Sequence, residues 1–361
     1  MSIGINKWEV ETPALLIDLD LMEYNIKKMK QYFSTVNSKL RAHAKTHKSP
    51  IIAHKQIEAG SHGICCQKLG EAEVMVNAGI KDIFITNEVV SKEKIERLIM
   101  INRHANVKIA IDNLEIAKII SKAAIKRNVQ QDVLVEVDVR NKRCGVAPGK
   151  PTLDLVKEVI KLKGLRFRGL MGYEGPFFGL INFEERKRAA YQLLALLKET
   201  IELVESEGIE VEIVSAGSTG TYNITAEYPR VTEIEAGSYV FMDSTYRKLG
   251  LEFKCALTVL TTIISRPTPT RIIVDVGLKG ITTEFGMPIV KDKEKEAVVY
   301  HLSEEHGLIE VDPKVNFKVG DKIELIPSHC CTTVNLHERY YGVRDDVVEV
   351  IWPILARGKF Q

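Results

Sequence analysis

Residues 40–50 read LRAHAKTHKSP, and this stretch decides the fold. Its first half has the character of a short strand, and Pro50 is a residue that commonly opens a helix. Strand-like and helix-like runs alternate in the same way from here as far as Tyr239. The strand-like runs are 40–45, 63–66, 82–86, 108–111, 133–138, 167–173, 211–215 and 231–234.

Short, largely apolar strands separated by amphipathic helices indicate a parallel sheet that is buried on both faces. Eight βα units over about 200 residues are the pattern of a (β/α)8 barrel of the TIM type. We therefore predict an α/β fold with such a barrel. An open, doubly wound parallel sheet is the alternative.

The pattern changes after Tyr239. From about Leu251 the runs FKCALTVLTTIISR, RIIVDVG, AVVYHLS, GLIEV, DKIELIP and VVEVIW are rich in β-formers and are separated by Gly, Pro and Asp. Helical periodicity is weak in this part of the chain. The sequence therefore predicts a second, smaller all-β domain after the barrel.

Composition excludes several classes of function. The chain has 361 residues, 45% of them hydrophobic and 27% charged, and a net charge of +2. Such a balance gives no electrostatic reason to expect binding to nucleic acid or to an anionic membrane. The N-terminus lacks the apolar region of a signal peptide, and no apolar run approaches about 18 residues. Six cysteines without a disulfide-like spacing indicate a reducing, cytoplasmic location.

The turn after the first barrel strand carries a candidate nucleophile, Lys45. Two histidines and two lysines fall within Arg41–Ser49. An amine that is partly desolvated beside other cations loses its proton more easily, and a neutral amine can attack a carbonyl carbon. We place Lys45 at the end of the first barrel strand. A basic surface turn is the alternative interpretation.

Two Gly- and Ser-rich loops follow the seventh and eighth predicted strands, where such barrels often bind phosphate. The loops are Gly217–Thr221 and Gly237–Tyr239. Either loop alone is more typical of an ordinary turn, but two uncharged loops at these two positions predict a phosphate site built from backbone N–H groups and hydroxyls. The predicted contacts are Ser218, Thr219, Gly220, Gly237, Ser238 and Tyr239.

Two further strand ends carry polar candidates. The fifth strand runs into a segment with Arg140 and Arg143, and the sixth runs into one with Tyr173 and Glu174. An arginine could bind a carboxylate or face a ring nitrogen without giving it a proton. Each residue taken singly is more typical of a surface salt bridge or a half-buried aromatic. Together with Lys45 and the phosphate loops, they predict pyridoxal 5'-phosphate (PLP) held as a Schiff base.

The chain resembles the alanine-racemase-like (fold type III) PLP enzymes, and within them the D-threonine aldolase and D-serine dehydratase family. The resemblance extends from ETPALLIDLD to GVRDDVVEVIWPILARG, with RAHAKTHKS, CCQKLGEAEVMVNAGI, EVDVRNKRCGV, GYEG, GSTGT, EAGSYVFMD and PSHCCTTVNLH as its matching stretches. It implies a barrel over residues 21–240. It also implies a β domain over 241–361. Residues 1–20, which include the first short strand, are implied to belong to this domain.

The same resemblance implies roles for individual residues. Lys45 is implied as the Schiff-base lysine, and the two loops as phosphate contacts. Arg143 is similar to the family arginine near the pyridine ring. Tyr173 and Gln67 are implied to lie beside the cofactor.

His329 and Cys331 form a candidate metal site in SHCCTTVN, residues 328–335. On a strand, the H-x-C spacing puts both side chains on one face, and imidazole with thiolate suits Zn²⁺. Two ligands alone are more typical of a buried cysteine beside a polar histidine. The resemblance implies that a divalent metal, Zn²⁺ or Mn²⁺, binds here. Family aldolases typically carry Asp at the position of Cys331, whereas the dehydratases carry Cys.

The resemblance implies a PLP- and metal-dependent lyase of D-3-hydroxy amino acids in which Lys45 and His329 are catalytic. The favoured reaction is retro-aldol cleavage of D-threonine-type substrates to glycine and an aldehyde. Cys331 instead favours a D-serine dehydratase that forms pyruvate and ammonia. A racemase and a non-catalytic PLP-binding protein are further alternatives, and the β domain argues against the latter. The expected partners are a small D-amino acid and a second copy of the chain in a homodimer, with neither nucleic acid nor membrane.

Overall fold

The computed structural model describes residues 3–175 and 177–361. The chain forms two compact units. The barrel unit comprises Met29–Lys45, Pro50–Gly237 and Lys359–Gln361. The β unit comprises residues 3–28, Thr46–Ser49 and Ser238–Gly358. The domain limits expected from the sequence, 21–240 and 241–361 with 1–20, stay a prediction.

Strands and helices are numbered in chain order. The strands are β1 (Ala14–Asp18), β2 (Lys39–His43), β3 (Gly63–Cys66), β4 (Asp82–Ile85), β5 (Asn106–Ile111), β6 (Gln131–Glu136), β7 (Leu165–Gly172), β8 (Ile213–Ala216), β9 (Glu233–Ile234), β10 (Leu257–Thr268), β11 (Arg271–Val274), β12 (Ile289–Val290), β13 (Ala297–Leu302), β14 (Gly307–Val311), β15 (Lys322–Ile326), β16 (Arg339–Arg344) and β17 (Val347–Pro353). The α-helices are α1 (Leu19–Phe33), α2 (Pro50–Glu58), α3 (Leu69–Asn77), α4 (Lys92–Ile101), α5 (Leu114–Lys126), α6 (Lys150–Val159), α7 (Phe183–Ser206), α8 (Tyr222–Thr225) and α9 (Cys330–Val334).

The strands β2 to β9 form a closed barrel in which each strand is parallel to its neighbours. Pairing of β2 with β9, Lys39 opposite Glu233 and Leu40 opposite Ile234, closes the ring. A helix follows each strand from β2 to β8 and leads to the next. The predicted (β/α)8 barrel is therefore confirmed, and the open doubly wound sheet is excluded.

An apolar cluster takes one side chain from each of six successive barrel strands. Its members are Cys65, Phe84, Ala110, Leu134, Met171 and Ile213. Nearer the amino ends of the strands lies a charged cluster, in which the fully buried Arg41 pairs with Glu233 at 2.9 Å and also with Asp82. Lys108 lies 3.1 Å from Asp82. The first cluster is apolar packing, and the second consists of ion pairs. Polar groups with other roles can therefore lie at the carboxyl ends of the strands.

The strand β2 ends earlier than the sequence indicated. It stops at His43, so Lys45 lies two positions beyond it in a turn, and the prediction that Lys45 ends the strand is wrong. Lys48 has a φ of 51°, a left-handed backbone conformation that a strand cannot continue through. The helix α2 then begins at Pro50, as predicted.

The β unit is built on a nine-stranded sheet with the order β13-β14-β11-β10-β1-β16-β17, to which β15 and β12 add beside β10. The strand β1 lies between β10, which is antiparallel to it, and β16, which is parallel. Its side chains Ala14 and Leu16 share an apolar cluster with Leu260 and Tyr341. The predicted separate, mostly β part of the chain is confirmed. None of the helices in the described ranges has the length and hydropathy to cross a bilayer.

Candidate active site

The turn after β2 holds Lys45 in an unusual setting. Lys45 is half-buried, whereas every other residue from 41 to 50 is buried. The preceding His43 is fixed at the strand end, with Nε2 3.2 Å from the Thr86 hydroxyl. The Lys45 amide lies 3.4 Å from His43 Nδ1. The strand therefore anchors the backbone on one side of Lys45 and leaves its side chain partly open.

Gln67 lies at the end of the next strand, β3. Its side-chain amide donates to the Thr86 carbonyl oxygen at 3.0 Å. The backbone N–H groups of Gln67 and Lys68 donate to one oxygen of Glu71, at 2.7 and 3.2 Å. Because Glu71 is in the first turn of α3, this carboxylate satisfies N–H groups at the start of that helix. Thr86 thus connects His43 and Gln67 through its hydroxyl and its carbonyl.

Two buried glutamates occupy the carboxyl ends of β6 and β9. Burial raises the pKa of Glu235 to about 7, against a hydrogen bond from Ser215 and the positive charges of Lys45 and Arg143. The Ser215 hydroxyl donates to Glu235 at 2.8 Å. Burial, reinforced by the neighbouring Glu88, raises the pKa of Glu136 to about 9. Neither glutamate is among the site residues predicted from the sequence.

The structure brings Arg143 and Tyr173 together. The Arg143 guanidinium carbon lies 5.1 Å from the centre of the Tyr173 ring, a distance typical of a cation–π contact. Arg143 Nη2 is 3.5 Å from Glu136. The Arg143 side chain is nevertheless 45% exposed, so part of it can meet a ligand.

The predicted loop Gly217–Thr221 is held by Glu174, which is 3% exposed. One Glu174 oxygen accepts the Gly217 N–H at 3.0 Å, and the other accepts the hydroxyls of Thr221 and Thr225 at 2.7 and 2.5 Å. Gly217 has a φ of 84°, and a Cβ there would lie 3.0 Å from Ile234. Glycine is therefore required at this turn.

Ser218 and Thr219 of the same loop are buried, with exposures of 6% and 1%. The Gly220 N–H donates to the Ser218 hydroxyl at 3.2 Å. The loop is followed directly by the short helix α8. Its backbone and hydroxyls thus form a compact polar turn after β8, and its role as a phosphate contact stays a prediction.

The second predicted loop divides between the units. Gly237 ends its segment of the barrel unit, while Ser238 and Tyr239 belong to a short 3-10 helix in the β unit. The Ser238 hydroxyl lies 3.8 Å from Cys331 Sγ. The Tyr239 ring is 1% exposed and tilts against Phe253, with ring centres 5.8 Å apart.

The candidate metal pair does not lie on a strand, the setting in which its H-x-C spacing would put both side chains on one face. The strand β15 ends at Ile326, before Pro327, which has no N–H to continue a ladder. His329 is extended, with a φ of −143°, and is the N-cap of α9, which contains Cys331. This strand-to-helix turn still groups the ligand atoms of His329, Cys330 and Cys331 within 4.8 Å of one another.

A buried carboxylate, Asp243, holds this turn. Its Oδ2 lies 2.9 Å from His329 Nδ1 and accepts the Cys330 N–H at 3.2 Å. Its Oδ1 accepts the N–H groups of Thr245 and Tyr246, at 3.1 and 2.8 Å. With Nδ1 directed at Asp243, the histidine can offer Nε2 as a ligand. A carboxylate behind a ligating histidine is a common arrangement in metal sites.

Cys331 and His329 carry opposite charges, and a metal ion that binds both must displace a proton from the imidazole. A hydrogen bond from the Cys330 thiol lowers the pKa of Cys331 well below its usual value, against burial and with help from His329. Burial works against protonation of His329, but Cys331 and Asp243 together raise its pKa to about 11. Cys331 Sγ also lies 3.3 Å from the Thr46 hydroxyl. A deprotonated thiol beside an imidazole is a borderline-soft donor set.

Two aromatic rings flank His329. The Phe285 ring centre is 4.8 Å away and the Tyr246 ring centre is 6.2 Å away. Tyr246 is buried, whereas Phe285 is 39% exposed. The imidazole is therefore bordered by rings and bonded at Nδ1 to a carboxylate.

Thr46 and Asp243 were not selected from the sequence as supporting residues, and Glu174 was named only as a polar candidate at a strand end. All three lie inside stretches that carry the family resemblance, RAHAKTHKS, GYEG and EAGSYVFMD. Their roles depend on contacts between distant parts of the chain: Asp243 and His329 are 86 positions apart. Asp243 does have one local signal, because Asp before a short helical turn often accepts its first N–H groups.

The chain matches known proteins over nearly its whole length. The alanine racemase N-terminal domain model matches residues 17–245, and the putative serine dehydratase domain model matches 256–343. A D-threonine aldolase from an Arthrobacter species is 39% identical over 97% of this chain and 93% of its own. A 3-hydroxy-D-aspartate aldolase from Paracoccus denitrificans is 36% identical over 99% and 94%. The crystal structure of D-threonine aldolase from Filomicrobium marinum superposes with a TM-score of 0.96, at 36% identity and 99% coverage of both chains.

Proposed function

Because the chain belongs to the D-threonine aldolase and D-serine dehydratase family of alanine-racemase-like PLP enzymes, we propose that it is a PLP- and divalent-metal-dependent lyase. Its substrates are D-3-hydroxy amino acids of the D-threonine type, cleaved to glycine and an aldehyde. One observation carries the proposal. Lys45 is followed in the chain by Thr46, whose hydroxyl lies 3.3 Å from Cys331 Sγ, so the residue next to the candidate cofactor lysine contacts a candidate metal ligand.

The donor groups at the carboxyl ends of the barrel strands fit PLP. The half-buried Lys45 offers an amine to its aldehyde, and the turn at Gly217, whose φ of 84° favours glycine, offers N–H groups and hydroxyls to its phosphate. Arg143, next to Tyr173, can face a ring nitrogen without protonating it. When bound, PLP supplies an electron sink for the pair released as the Cα–Cβ bond breaks.

The residues around His329 fit a divalent metal. When a metal displaces the proton on Nε2, Asp243 can hold the remaining proton of His329 on Nδ1, so that Nε2 and the Cys331 sulfur would be the two protein donors. Two protein donors leave positions for water and for the substrate hydroxyl, as in catalytic rather than structural sites. A metal bound here lowers the pKa of a coordinated hydroxyl. Zn²⁺ suits the imidazole and thiolate better than Mn²⁺ does.

A second reaction is favoured by one residue. Cys331 is a sulfur donor, and the sequence resemblance associates Cys at this position with the dehydratases and Asp with the aldolases. In a D-serine dehydratase the 3-hydroxyl leaves instead of losing its proton. The near full-length identity of 36–39% with two aldolases favours carbon–carbon cleavage.

The test incubates the protein with D-threonine and with D-serine, with and without a chelator. We expect glycine and acetaldehyde from D-threonine, and loss of this activity on chelation and in Cys331→Ala. The matched control is Cys255→Ala, a half-buried thiol of the same unit that lies outside the metal cluster.

Three other outcomes would change the assignment. Pyruvate and ammonia from D-serine, without glycine from D-threonine, would establish the dehydratase. Chelator-resistant interconversion of D- and L-amino acids would establish a racemase. Full aldolase activity in Cys331→Ala would remove the metal pair from the reaction.

The family resemblance further supports a homodimer and a cytoplasmic location. Both are proposals. Light scattering on the purified chain tests the first, and fractionation of the producing cell tests the second.

A further inference from the structure

Phe285 is a large apolar side chain that remains exposed beside a polar centre. Its ring contacts His329, with ring centres 4.8 Å apart and an interplanar angle of 54°. It is 39% exposed, as is Met287 two positions later. Aromatic rings gain most when buried against other apolar groups. An exposed ring at this position is thus available to contact a ligand that reaches His329.

The segment that carries Phe285 is fastened to the turn that carries the metal candidates. The Thr282 hydroxyl lies 2.7 Å from that of Thr332, and the Ser328 hydroxyl donates to the Thr282 carbonyl at 3.4 Å. Farther along, His337 Nε2 is 2.7 Å from the Gly280 carbonyl oxygen. These bonds fix the start of the segment relative to His329. The ring of Phe285 is therefore part of the surroundings of the imidazole.

The charge of this segment is unsuited to an anionic ligand. Residues 280–290 read GITTEFGMPIV and contain one charged residue, Glu284, which is exposed and acidic. A carboxylate on a ligand would meet an aromatic ring and a like charge here. An aryl or alkyl group would instead be removed from water against Phe285 and Met287.

We propose that Phe285 determines substrate class by favouring D-3-hydroxy amino acids whose C3 substituent is aryl or alkyl over those in which it is a carboxylate. The inference rests on the proposed function, in which the substrate 3-hydroxyl is held at His329 and Cys331. The carbon that bears this hydroxyl also bears the C3 substituent, so the substituent lies close to whatever borders His329. D-phenylserine and D-threonine are therefore the better substrates, and 3-hydroxy-D-aspartate is the poorer one.

The experiment compares kcat/KM for D-phenylserine, D-threonine and 3-hydroxy-D-aspartate in the wild type, Phe285→Ala and Phe285→Arg. In Phe285→Ala we expect about a tenfold loss for D-phenylserine, the magnitude of a lost aromatic contact, and a smaller loss for D-threonine. In Phe285→Arg we expect the preference to move toward 3-hydroxy-D-aspartate, because guanidinium binds carboxylate. The control is Leu278→Ala, another exposed apolar residue near the start of this segment.

A second measurement does not depend on turnover. D-phenylalanine and D-aspartate carry the same two substituents without the 3-hydroxyl and cannot be cleaved. Their binding is followed through the visible absorbance of the bound cofactor. We expect D-phenylalanine to bind the wild type at least about tenfold more tightly than D-aspartate, and this ratio to fall in Phe285→Ala while the affinity for Zn²⁺ stays the same.

The outcomes separate the two hypotheses. If the wild type cleaves none of the three substrates, the proposed function fails, and the titrations still decide whether Phe285 discriminates between the side chains. If the wild type is active and neither the kcat/KM ratio nor the binding ratio changes in Phe285→Ala, the inference about Phe285 is wrong.

Discussion

The barrel unit and the β unit present their candidate groups in different ways. In the barrel unit the groups come from the ends of several strands of one closed sheet, with Lys45 after β2, Gln67 after β3 and Tyr173 after β7. In the β unit, both metal candidates come from a single connection between β15 and β16. The first set is positioned by the sheet as a whole, and the second depends on local support.

Each unit uses one buried carboxylate to hold a functional turn, and the two carboxylates differ in their donors. Glu174 accepts one backbone N–H and two hydroxyls. Asp243 accepts three backbone N–H groups and faces His329 Nδ1. A hydroxyl can reverse and become an acceptor, but a backbone N–H cannot. The loop after β8 should therefore tolerate replacement of the Glu174 carboxylate by an amide. The turn that carries His329 and Cys331 should not tolerate the same replacement of Asp243.

The largest effect is expected for Lys45→Ala. If this amine binds the cofactor, the variant should lose the visible absorbance band that borohydride reduces, and its turnover should fall by at least about 10³-fold. Metal content should not change, because His329 and Cys331 belong to the other unit. Absorbance, metal analysis and kinetics on one preparation check all three statements.

Lys39→Ala is the matched control for this prediction. Lys39 lies on the same strand, β2, at its exposed amino end. This variant should keep the band and the turnover. A Lys45→Ala protein that retains both would show that another group binds the cofactor.

One buried glutamate from each unit should make stability depend on pH, in opposite directions. Burial raises the pKa of Glu235, in the barrel unit, from 4.5 to about 7. The folded chain then binds this proton more tightly than the unfolded chain, and stability falls as the pH rises from 4.5 through 7, by on the order of 3 kcal/mol. Glu235→Gln, which can keep the bond to Ser215, should remove this loss.

In the β unit, Glu324 should make stability depend on pH in the opposite direction. Burial alone would raise its pKa, but Lys291, Lys7 and Thr258 lower it below 4.5. Its contribution to stability is therefore present above pH 4.5 and is lost as the pH falls through the lowered value. Denaturant titrations of the holoenzyme between pH 3 and 8 measure both effects. The same pH slope in Glu235→Gln and the wild type would refute the assignment for Glu235.

The barrel was predictable because its signal is local. Short apolar strands alternate with amphipathic helices, and the bounds of β3, Gly63–Cys66, agree with those read from the sequence. Strand ends were less accurate, since hydrogen bonds across the sheet decide them rather than composition. For Lys45 the error was two residues, and it changed a strand residue into a turn residue.

The surroundings of the metal pair were not predictable in the same way. An H-x-C spacing fits one face of a strand, but Pro327 ends β15 and the pair lies at a helix start. Asp243 and Phe285 approach His329 from segments far away in the chain. Such contacts depend on tertiary structure, and no periodic pattern of residues in the sequence predicts them.

Asp243→Asn should weaken metal binding by about 10–100-fold. Both oxygens of Asp243 accept backbone N–H groups, so an amide must place its NH₂ against at least one of them. If the NH₂ faces His329, it can donate to Nδ1, which moves the histidine proton to Nε2 and removes the metal ligand. Competition with a chromophoric chelator measures the affinity directly.

The control for Asp243→Asn is Glu324→Gln, a second buried carboxylate of the β unit that is bonded to Lys7 and Thr258 rather than to the metal turn. It should lower stability without changing metal affinity. PLP content should be the same in both variants. Equal metal affinity in Asp243→Asn and the wild type would show that Asp243 supports the fold alone.

The smallest effect is expected for Glu174→Gln, the carboxylate-to-amide substitution in the barrel unit that corresponds to Asp243→Asn. In Glu174→Gln the amide oxygen can accept the Gly217 N–H, while its NH₂ donates to Thr221 and Thr225, whose hydroxyls reverse. Cofactor affinity should therefore change by less than about threefold. Glu174→Ala leaves the Gly217 N–H and both hydroxyls without this partner, and affinity should fall by about tenfold, the cost of one unsatisfied buried group.

Equilibrium dialysis of PLP against both Glu174 variants measures the difference, with thermal unfolding of the same samples as the control for folding. A large loss of affinity in Glu174→Gln would mean that the negative charge itself is needed, and that the hydroxyls do not reverse. Equal affinity in Glu174→Ala and the wild type would mean that the turn at Gly217 keeps its shape through its own backbone. Either result would end the parallel between Glu174 and Asp243, because that parallel requires each carboxylate to hold the turn in front of it.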